Sequence, residues 1–577
     1  MVAKGIIYLR VLDRERHLKM ASFTHSATGE TFSDYYMHEI QGEKLIQSYG
    51  CLLALDEMTS KVIAYSSNAP KMLTSDVPHP SIIGIHVLSL FAEPGASKLE
   101  KALGGAKVSL LNPIMVQTKT SNKEFYAFLH STTSCVVIDF EPVVPVNFPA
   151  MASTYTDMQP FNLAFEAFSK LQSLHGGSIK ELCNIVSQEL LKLTGYGRVM
   201  VNMFHEDGHG EIIAEATNPG IKSYLGMHYP ANDIPEASRF LLMMNRVQMV
   251  FDSHAKLVRI VTDGKTPFDI SLCPSLLRAP HFCHLQFLRN MKTTSSLTMA
   301  IIVTDNTDNE ADCKVEEEMT KKKHDNKRLW GLITCHNETP RYAPFSLRCA
   351  CEFLVQMFAL HVRKKLDSDY RRHEKRTLKA VSALSGVLLR EPSSRSSIIT
   401  SSPNIMSLVK CDGAAILHGD KVWRLHVAPT EGEIHLIVNW LLENHWDSSI
   451  MSTESLYGDG YPGDLVLDNQ AVICGMAAAI VDSTYIVLWF RLHNTTLPAA
   501  TWEGAKRSPS DEDNTEGMAA AKSPPWKDYE MKGIHALWLL LKETKSMLAK
   551  QKEGKPKISS LTHGRLESLS SDSKLGQ

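Results

Sequence analysis

Hydrophobic and polar positions along this chain follow two rhythms, one of strands and one of helices. Residues 50–57 (GCLLALDE) and 61–68 (KVIAYSSN) are short β-rich runs joined by a polar turn. Residues 124–132 (EFYAFLHST) and 135–142 (CVVIDFEP) read as a second hairpin. Together they predict a small mixed domain with a sheet, close to residues 45–145. The rhythm then changes. Ala164, Ala167, Phe168 and Leu171 share one helical face, and Ser178-Ile-Lys-Glu181 is a capping box that opens a second helix. Ile179, Leu182, Cys183, Val186, Leu190 and Leu193 repeat at helical spacing, and Gly195 can close the helix. Residues 198–204, 211–216, 256–261, 296–304 and 328–336 are read as strands of a second sheet. Residues 305–327 are too charged to pack and predict a flexible surface insertion. From Ser346 a buried stripe of Leu347, Ala350, Cys351, Leu354, Phe358 and Leu366 predicts one helix running to about Leu389. A helix of that length suits a connection between domains. A third α/β region follows at about 400–545, with strands at GAAIL (413–417) and KVWRLHV (421–427) around a His-Gly-Asp turn. Residues 497–525 lack periodicity, and the polar tail after Lys550 is expected to be disordered.

Composition narrows the class. At 577 residues the chain has room for about three or four domains, and 44% hydrophobic residues can supply their cores. A formal net charge of −2 gives no reason to expect nucleic acid or an anionic membrane as partner. No run approaches the roughly 20 apolar residues of a spanning helix, and the first residues, MVAKGIIYLRVLDRERHLK, lack a signal-peptide core. Eleven cysteines are scattered without zinc-finger spacing; Cys349 and Cys351 make only a C-x-C on an apolar helix. A soluble intracellular protein with reduced thiols is the expectation.

Residues 276–287 (LLRAPHFCHLQF) concentrate candidate chemistry in apolar sequence. Cys283 lies between Phe282 and His284, close to His281 and Arg278. Several roles are open to it: a buried structural thiol, a nucleophile with His281 or His284 as base, or a metal ligand with both histidines. Adjacent residues rarely present a nucleophile and a base to each other, and the sequence offers neither a third orienting group nor a fourth metal ligand.

The surrounding motifs change the balance. From about Ile46 to Leu541 the chain resembles the photosensory half of plant phytochromes. The matching stretches are GCLLALDE (50–57), YPANDIPEASRF (229–240), LLRAPHFCHLQF (276–287), RLWGLITCHN (328–337), PFSLRCACEFL (344–354), CGMAA (474–478), WFRLH (489–493) and PWKDYEM (525–531). Many long motifs in one order are far more specific than any single short one. The resemblance implies an α+β chain of three sheet domains, with antiparallel central sheets and a long linking helix. These are a PAS-like domain at 45–150, a GAF bilin-binding domain at 155–365 and a PHY domain at 366–548. The PHY domain carries a tongue at about 490–525. Residues 1–44 form an extension, and 549–577 a disordered tail.

The resemblance also implies a covalently bound linear tetrapyrrole, phytochromobilin by preference, attached as a thioether to Cys283. It places Asp233, Ile234 and Pro235 over the pigment, and His284 at the inner-ring water. His336 faces the carbonyl of the last ring, and Tyr229 lines that ring. Arg278 and Ser296 meet the propionates, and His281 and Phe287 complete the contacts. A guanidinium can grip a carboxylate with two hydrogen bonds. The implied function is red/far-red photoreception by reversible photoisomerisation, without enzyme activity, leading to regulation of transcription. Implied partners are light-dependent, transcription-factor-type proteins, with room for a homodimer. The implied location is the cytoplasm, with the nucleus after light activation.

Several positions depart from the family. Asn202 and Phe287 stand where tyrosines are typical, Gln248 replaces a propionate arginine, Phe282 replaces a small residue, and Gly197 replaces an aspartate. Trp502-Glu-Gly-Ala505 is present in the tongue. GMAAAKSPPW (517–526) then takes the place of the usual Pro-Arg-x-Ser-Phe, so Asp233 is expected to lack its arginine. The chain also ends soon after the third domain, without the family's later region. The competing expectation is a degenerate phytochrome fragment that binds bilin or partners without productive photoswitching.

Overall fold

The computed structural model describes residues 44–74, 81–104, 112–132, 135–143, 159–174, 176–262, 272–304, 327–390, 397–445, 448–463, 465, 472–493 and 522–552. The expected extension 1–44, insertion 305–327, tongue 490–525 and tail 549–577 therefore lie almost wholly outside the described residues. The fold is α+β, as expected, and every strand pairing in it is antiparallel. Two compact units divide at Leu366/Asp367.

In the first unit, the leading elements are β1 (Leu45–Ile46), β2 (Cys51–Leu55), β3 (Val62–Ser66), α1 (Ala69–Leu73), α2 (Gly95–Leu103), β4 (Ile114–Gln117), β5 (Glu124–Ser131) and β6 (Val136–Pro142). Then come α3 (Gln159–Ser173), α4 (Ile179–Thr194), β7 (Arg198–Phe204), β8 (Gly210–Thr217), β9 (His228–Tyr229), α5 (Glu236–Met244), β10 (Val247–Val250) and β11 (Val258–Thr262). Last are α6 (Phe282–Asn290), β12 (Ser295–Thr304), β13 (Lys327–Asn337) and α7 (Phe345–Arg390), which continues past the boundary.

The first sheet has the order β1-β11-β3-β2-β6-β5-β4. Its central strand β2 is buried at every position because both faces are covered. Cys51, Leu53 and Leu55 pack with Phe91, Leu99 and Phe140 on one face. Leu52 and Ala54 pack with Val258, Leu272 and Leu277 on the other.

One expectation fails here. The strand expected at 256–261 was assigned to the second sheet, but β11 pairs with β3 and β1 in the first. A period-two pattern tells a strand which face to bury, not which neighbour to pair with. Here β11 pairs with the side of β3 that β2 leaves unpaired, and Val258 adds to the apolar layer of this sheet.

The second sheet has the order β10-β12-β13-β7-β8-β9. Its first face is covered by α3, α4 and the start of α7, whose Leu347, Ala350, Cys351, Leu354, Phe358 and Val362 are all buried there. In length and composition α7 would suit a membrane span, but this burial makes it a core helix. The capping box at Ser178 and Glu181 forms as expected, and Gly195 ends α4 at φ 61°. The second face of the sheet carries the candidate site.

In the second unit, the end of α7 is followed by α8 (Ser397–Thr400), β14 (Gly413–His418), β15 (Lys421–His426), α9 (Glu431–Asn444), β16 (Ile450–Thr453), β17 (Ile473–Asp482), β18 (Tyr485–Leu492) and α10 (Asp528–Lys552). The sheet order is β15-β14-β18-β17-β16. Along β17, Ala477 and Ala479 face a layer with Leu384, Ile534 and Leu537, while Met476 and Ala478 face Ile434, Ile437 and Leu441. Two covered faces explain why these strands are almost wholly apolar.

Arg491 lies at the end of β18. It makes two 2.8 Å bonds to the Glu530 carboxylate and donates to the carbonyls of Lys410, Pro524 and Pro525, each at 2.8 Å. Its guanidinium stacks 3.7 Å above the Trp526 ring. Glu530 also accepts from the backbone of Lys410 and Lys527. A buried ion pair this well bonded is costly to break from one side, by about 3–5 kcal/mol. Arg491→Ala is expected to lower the unfolding free energy of the chain by that order in urea, whereas Lys532→Ala, on the same helix as Glu530, should change it by under about 0.5 kcal/mol.

Candidate functional site

Alternation along four neighbouring strands assembles the site wall. Arg198, Met200, Asn202 and Phe204 of β7 share one face, since the intervening Val199 and Val201 belong to the core behind the sheet. On β13, Leu332, Thr334 and His336 point the same way; on β12, Ser296, Thr298 and Ala300; on β10, Gln248. Ser296 and His336 are direct cross-strand partners. Over this wall pack Tyr224, Tyr229, Met291, Ile234, Leu242 and Phe287.

Two buried polar atoms on the wall, Ser296 Oγ and His336 Nδ1, have no hydrogen-bond partner among the described residues. Such atoms are costly unless a ligand or water meets them. His284, one turn into α6, has open surface, yet desolvation followed by the charges of Arg278 and His281 pushes its pKa down to about 4. His284 is thus exposed while facing the charges of Arg278 and His281 and the neighbouring His336. His336 is pushed down to about 3, by burial and then by Arg198 and His284. Both imidazoles are therefore neutral at pH 7 and able to donate or accept a single hydrogen bond.

The chain around Cys283 is held from behind. His281 is the N-cap of α6, its Nδ1 accepting the Cys283 backbone N–H at 3.3 Å. That bond engages the His281 nitrogen with the backbone, so it does not serve the thiol as a base. Cys283 is the one exposed cysteine among the described residues. Elsewhere burial pushes the thiols of Cys183, Cys335 and Cys411 up to about 12. Arg278 is largely buried, with Nη2 3.4 Å from Gln248 Oε1. The Gln248 amide thus faces the Arg278 guanidinium.

Asn202 is satisfied within the sheet, its Nδ2 donating to Thr334 Oγ1 at 3.0 Å. Tyr229 is buried, and desolvation raises its pKa, with Asp233 nearby adding to the rise. Asp233 lies in a short 3-10 turn, Ala231–Asp233, and Pro235 is the N-cap of α5 without a side-chain bond. Asp233 is therefore not the cap of α5. Phe282 is exposed, its ring 4.5 Å from that of His281.

Four further residues escaped the sequence reading. Arg239 donates to the carbonyls of Ile234 and Gly208 at 2.8 and 2.5 Å and stacks on Phe204, so it positions the 229–235 loop. Arg198 lies 3.2 Å from Glu215 and stacks on Tyr224. Strand alternation in RVMVNMF and EIIAEA was signal enough to put Arg198 and Glu215 on the wall face. Gly210 left no such signal: a Cβ there would sit 2.1 Å from the Tyr229 ring.

The site thus combines an exposed thiol, a guanidinium, two neutral imidazoles and a hydroxyl beside the apolar residues on the second face of the sheet. The sequence falls into three family regions: PAS fold at residues 35–143, GAF domain at 178–366 and Phytochrome region at 378–550. Their order defines a PAS–GAF–PHY photosensory module. The chain belongs to the phytochromes, and its photosensory region is of the plant kind. It is 51% identical over 529 residues to Phytochrome A of Zea mays, covering 88% of this chain and 46% of the relative. It is 50% identical over 538 residues to Phytochrome A type 4 of Avena sativa, covering 90% and 47%. The chain thus spans about half the length of these relatives. The crystal structure of a bacteriophytochrome from the photosynthetic bacterium R. palustris shares the fold at a TM-score of 0.65 and 24% identity, over 88% of this chain and 99% of that one.

The neutral His336 makes stability depend on pH. Its pKa is lowered from 6.5 on folding, so the unfolded chain takes up the proton first as pH falls. This contribution is fully present above pH 6.5 and is lost progressively toward about 3. His336→Gln is expected to flatten the fall in urea midpoint below pH 6.5 relative to wild type. Gly210→Ala should destabilise by about 1–3 kcal/mol through overpacking, and by clearly less in a Tyr229→Ala background.

Proposed function

We propose that this chain is a red/far-red light sensor that holds a linear tetrapyrrole, phytochromobilin by preference, on the second face of the second sheet. The observation that carries this reading is Cys283, an exposed thiol at the start of α6 beside His284. When bound, the bilin supplies visible absorption and a double bond that light can isomerise. Cys283 Sγ would hold it as a thioether through an unsaturated side chain of the first ring, the S–H adding across one C=C bond so that no further reactant is needed. Arg278 and Ser296 would hold its propionates, His336 the last-ring carbonyl and His284 the side of the inner nitrogens. Tyr229, Ile234, Pro235 and Phe287 exclude solvent, Asp233 offers its backbone carbonyl, and His281 positions the attachment turn.

By this reading the pigment domain spans about 155–365, between a PAS-like domain at 45–150 and a PHY domain at 366–548. The wider function proposed with it is light-dependent binding of partners that regulate transcription, with the chain in the cytoplasm and, after light activation, the nucleus. The bonded Asn202, where a ring is usual, favours a second reading: pigment uptake with weak photoconversion.

Assembly with phytochromobilin or phycocyanobilin, followed by a denaturing gel scored for zinc-induced fluorescence, separates these readings. Wild type is expected to carry covalent pigment and Cys283→Ala none. Red and far-red irradiation should then give a reversible difference spectrum. Pigment without that spectrum supports the second reading, and a wild-type chain with no covalent pigment refutes both.

A further inference from the structure

The β7–β8 turn and β9 bring three histidines together away from the thiol. His205 follows β7, His209 precedes β8, and His228 lies in β9 opposite Glu211. The candidate ligand nitrogens of all three lie within 4.8 Å of one another. The His205 and His209 rings stack at 4.1 Å, and His228 is 5.4 Å from His209. The turn does not need these imidazoles, because the His205 N–H already donates to the His209 carbonyl at 2.9 Å and the Gly208 N–H to the His205 carbonyl at 3.0 Å.

Carboxylates stand behind two of the rings. Asp207 Oδ1 is 2.6 Å from His209 Nδ1, and Glu211 Oε2 is 3.0 Å from His205 Nε2. A carboxylate on one imidazole nitrogen orients the ring and makes the other nitrogen the better ligand. His209 Nε2 and His205 Nδ1 are thereby presented. The third ring supplies an independent observation: His228 Nδ1 is buried and has no hydrogen-bond partner among the described residues.

We propose that His205, His209 and His228 form a binding site for one borderline divalent transition-metal cation of the zinc class, with a fourth position open to water. Three imidazoles with carboxylates outside them match such a cation, whereas magnesium and calcium call for oxygen ligands. Zinc–nitrogen bonds of about 2.0–2.1 Å require the nitrogens to draw together by roughly an ångström, within reach of χ rotation. The site is independent of the pigment reading. His228 adjoins the pocket residue Tyr229, so the metal clamps the edge strand that carries it.

Cobalt(II) is the spectroscopic probe. The full chain, free of pigment and stripped of metal, is titrated with Co²⁺ and the visible ligand-field bands are followed. Zn²⁺ then competes. One equivalent is expected, without the thiolate-to-cobalt charge-transfer band that cysteine ligation gives. His209→Gln and His228→Gln should each weaken binding at least tenfold, and Asp207→Asn, on the turn, by about tenfold. Urea midpoints in metal-free buffer verify that each variant folds; should a histidine variant fail there, Asp207→Asn and a Zn²⁺-dependent rise in wild-type melting temperature decide the matter. No saturable uptake by wild type, uptake unchanged in His209→Gln/His228→Gln, or a charge-transfer band from cysteine would each overturn the proposal.

Discussion

The first unit depends on a fully buried carboxylate. Asp139, on β6, accepts from Ser275 Oγ and the Leu276 N–H at 2.8 Å each, and pairs with His130 at 3.0 Å. Gln47 adds bonds to the carbonyls of Met249 and Arg278, and the Leu277 carbonyl accepts from the Gln47 N–H. A chain segment from the pigment-type domain is thus hydrogen-bonded to the first sheet. Leu277 seals the contact, tucked so close to Gly50 that a Cβ there would lie 2.7 Å from it. A buried carboxylate without these donors would be costly, so register at 275–278 is tightly specified. Arg278, His281 and Cys283 follow within eight residues, and their places are set by this dock before α6 begins.

A second buried charge works alongside it. Glu141 receives Arg348 at 2.5 Å and the Tyr342 hydroxyl at 3.3 Å, tying β6 to the first turn of α7. Residues 139 and 141 lie on the same face of one strand and reach to either side of the pigment-type domain. The wall of the site is then a sheet face whose polar groups need partners. Asn202 finds one in Thr334, and Arg198 finds one in Glu215. Ser296 Oγ and His336 Nδ1 do not, and that imbalance is the strongest physical sign of a ligand. In the second unit, Arg491 and Glu530 play the corresponding part, closing strand β18 onto the start of α10.

Much of the fold was legible in local pattern. The individual strands, the capped helix α4 and the long α7 are encoded by periods of two and 3.6 residues and by cap chemistry. The ordered motifs pointed to the candidate site, and Cys283 was found from LLRAPHFCHLQF. Arg198 and Glu215 were within reach of the same alternation and were passed over. Arg239 and Gly210 were not within reach, because their roles consist of contacts with a loop and a ring distant in the chain.

What the amino-acid order carried unaided was therefore whatever depends on neighbours a few residues away: which segments are helices or strands, which face each buries, and which motif holds the thiol. Pairing was decided only in three dimensions. Nothing in VRIVT says that β11 joins the first sheet, and nothing local joins Asp139 to Ser275 or brings His228 to His205 and His209. The reason is physical. Periodicity reflects the geometry of one element, whereas partner choice is settled by which arrangement leaves the fewest buried polar groups and open apolar edges unmatched across the whole chain.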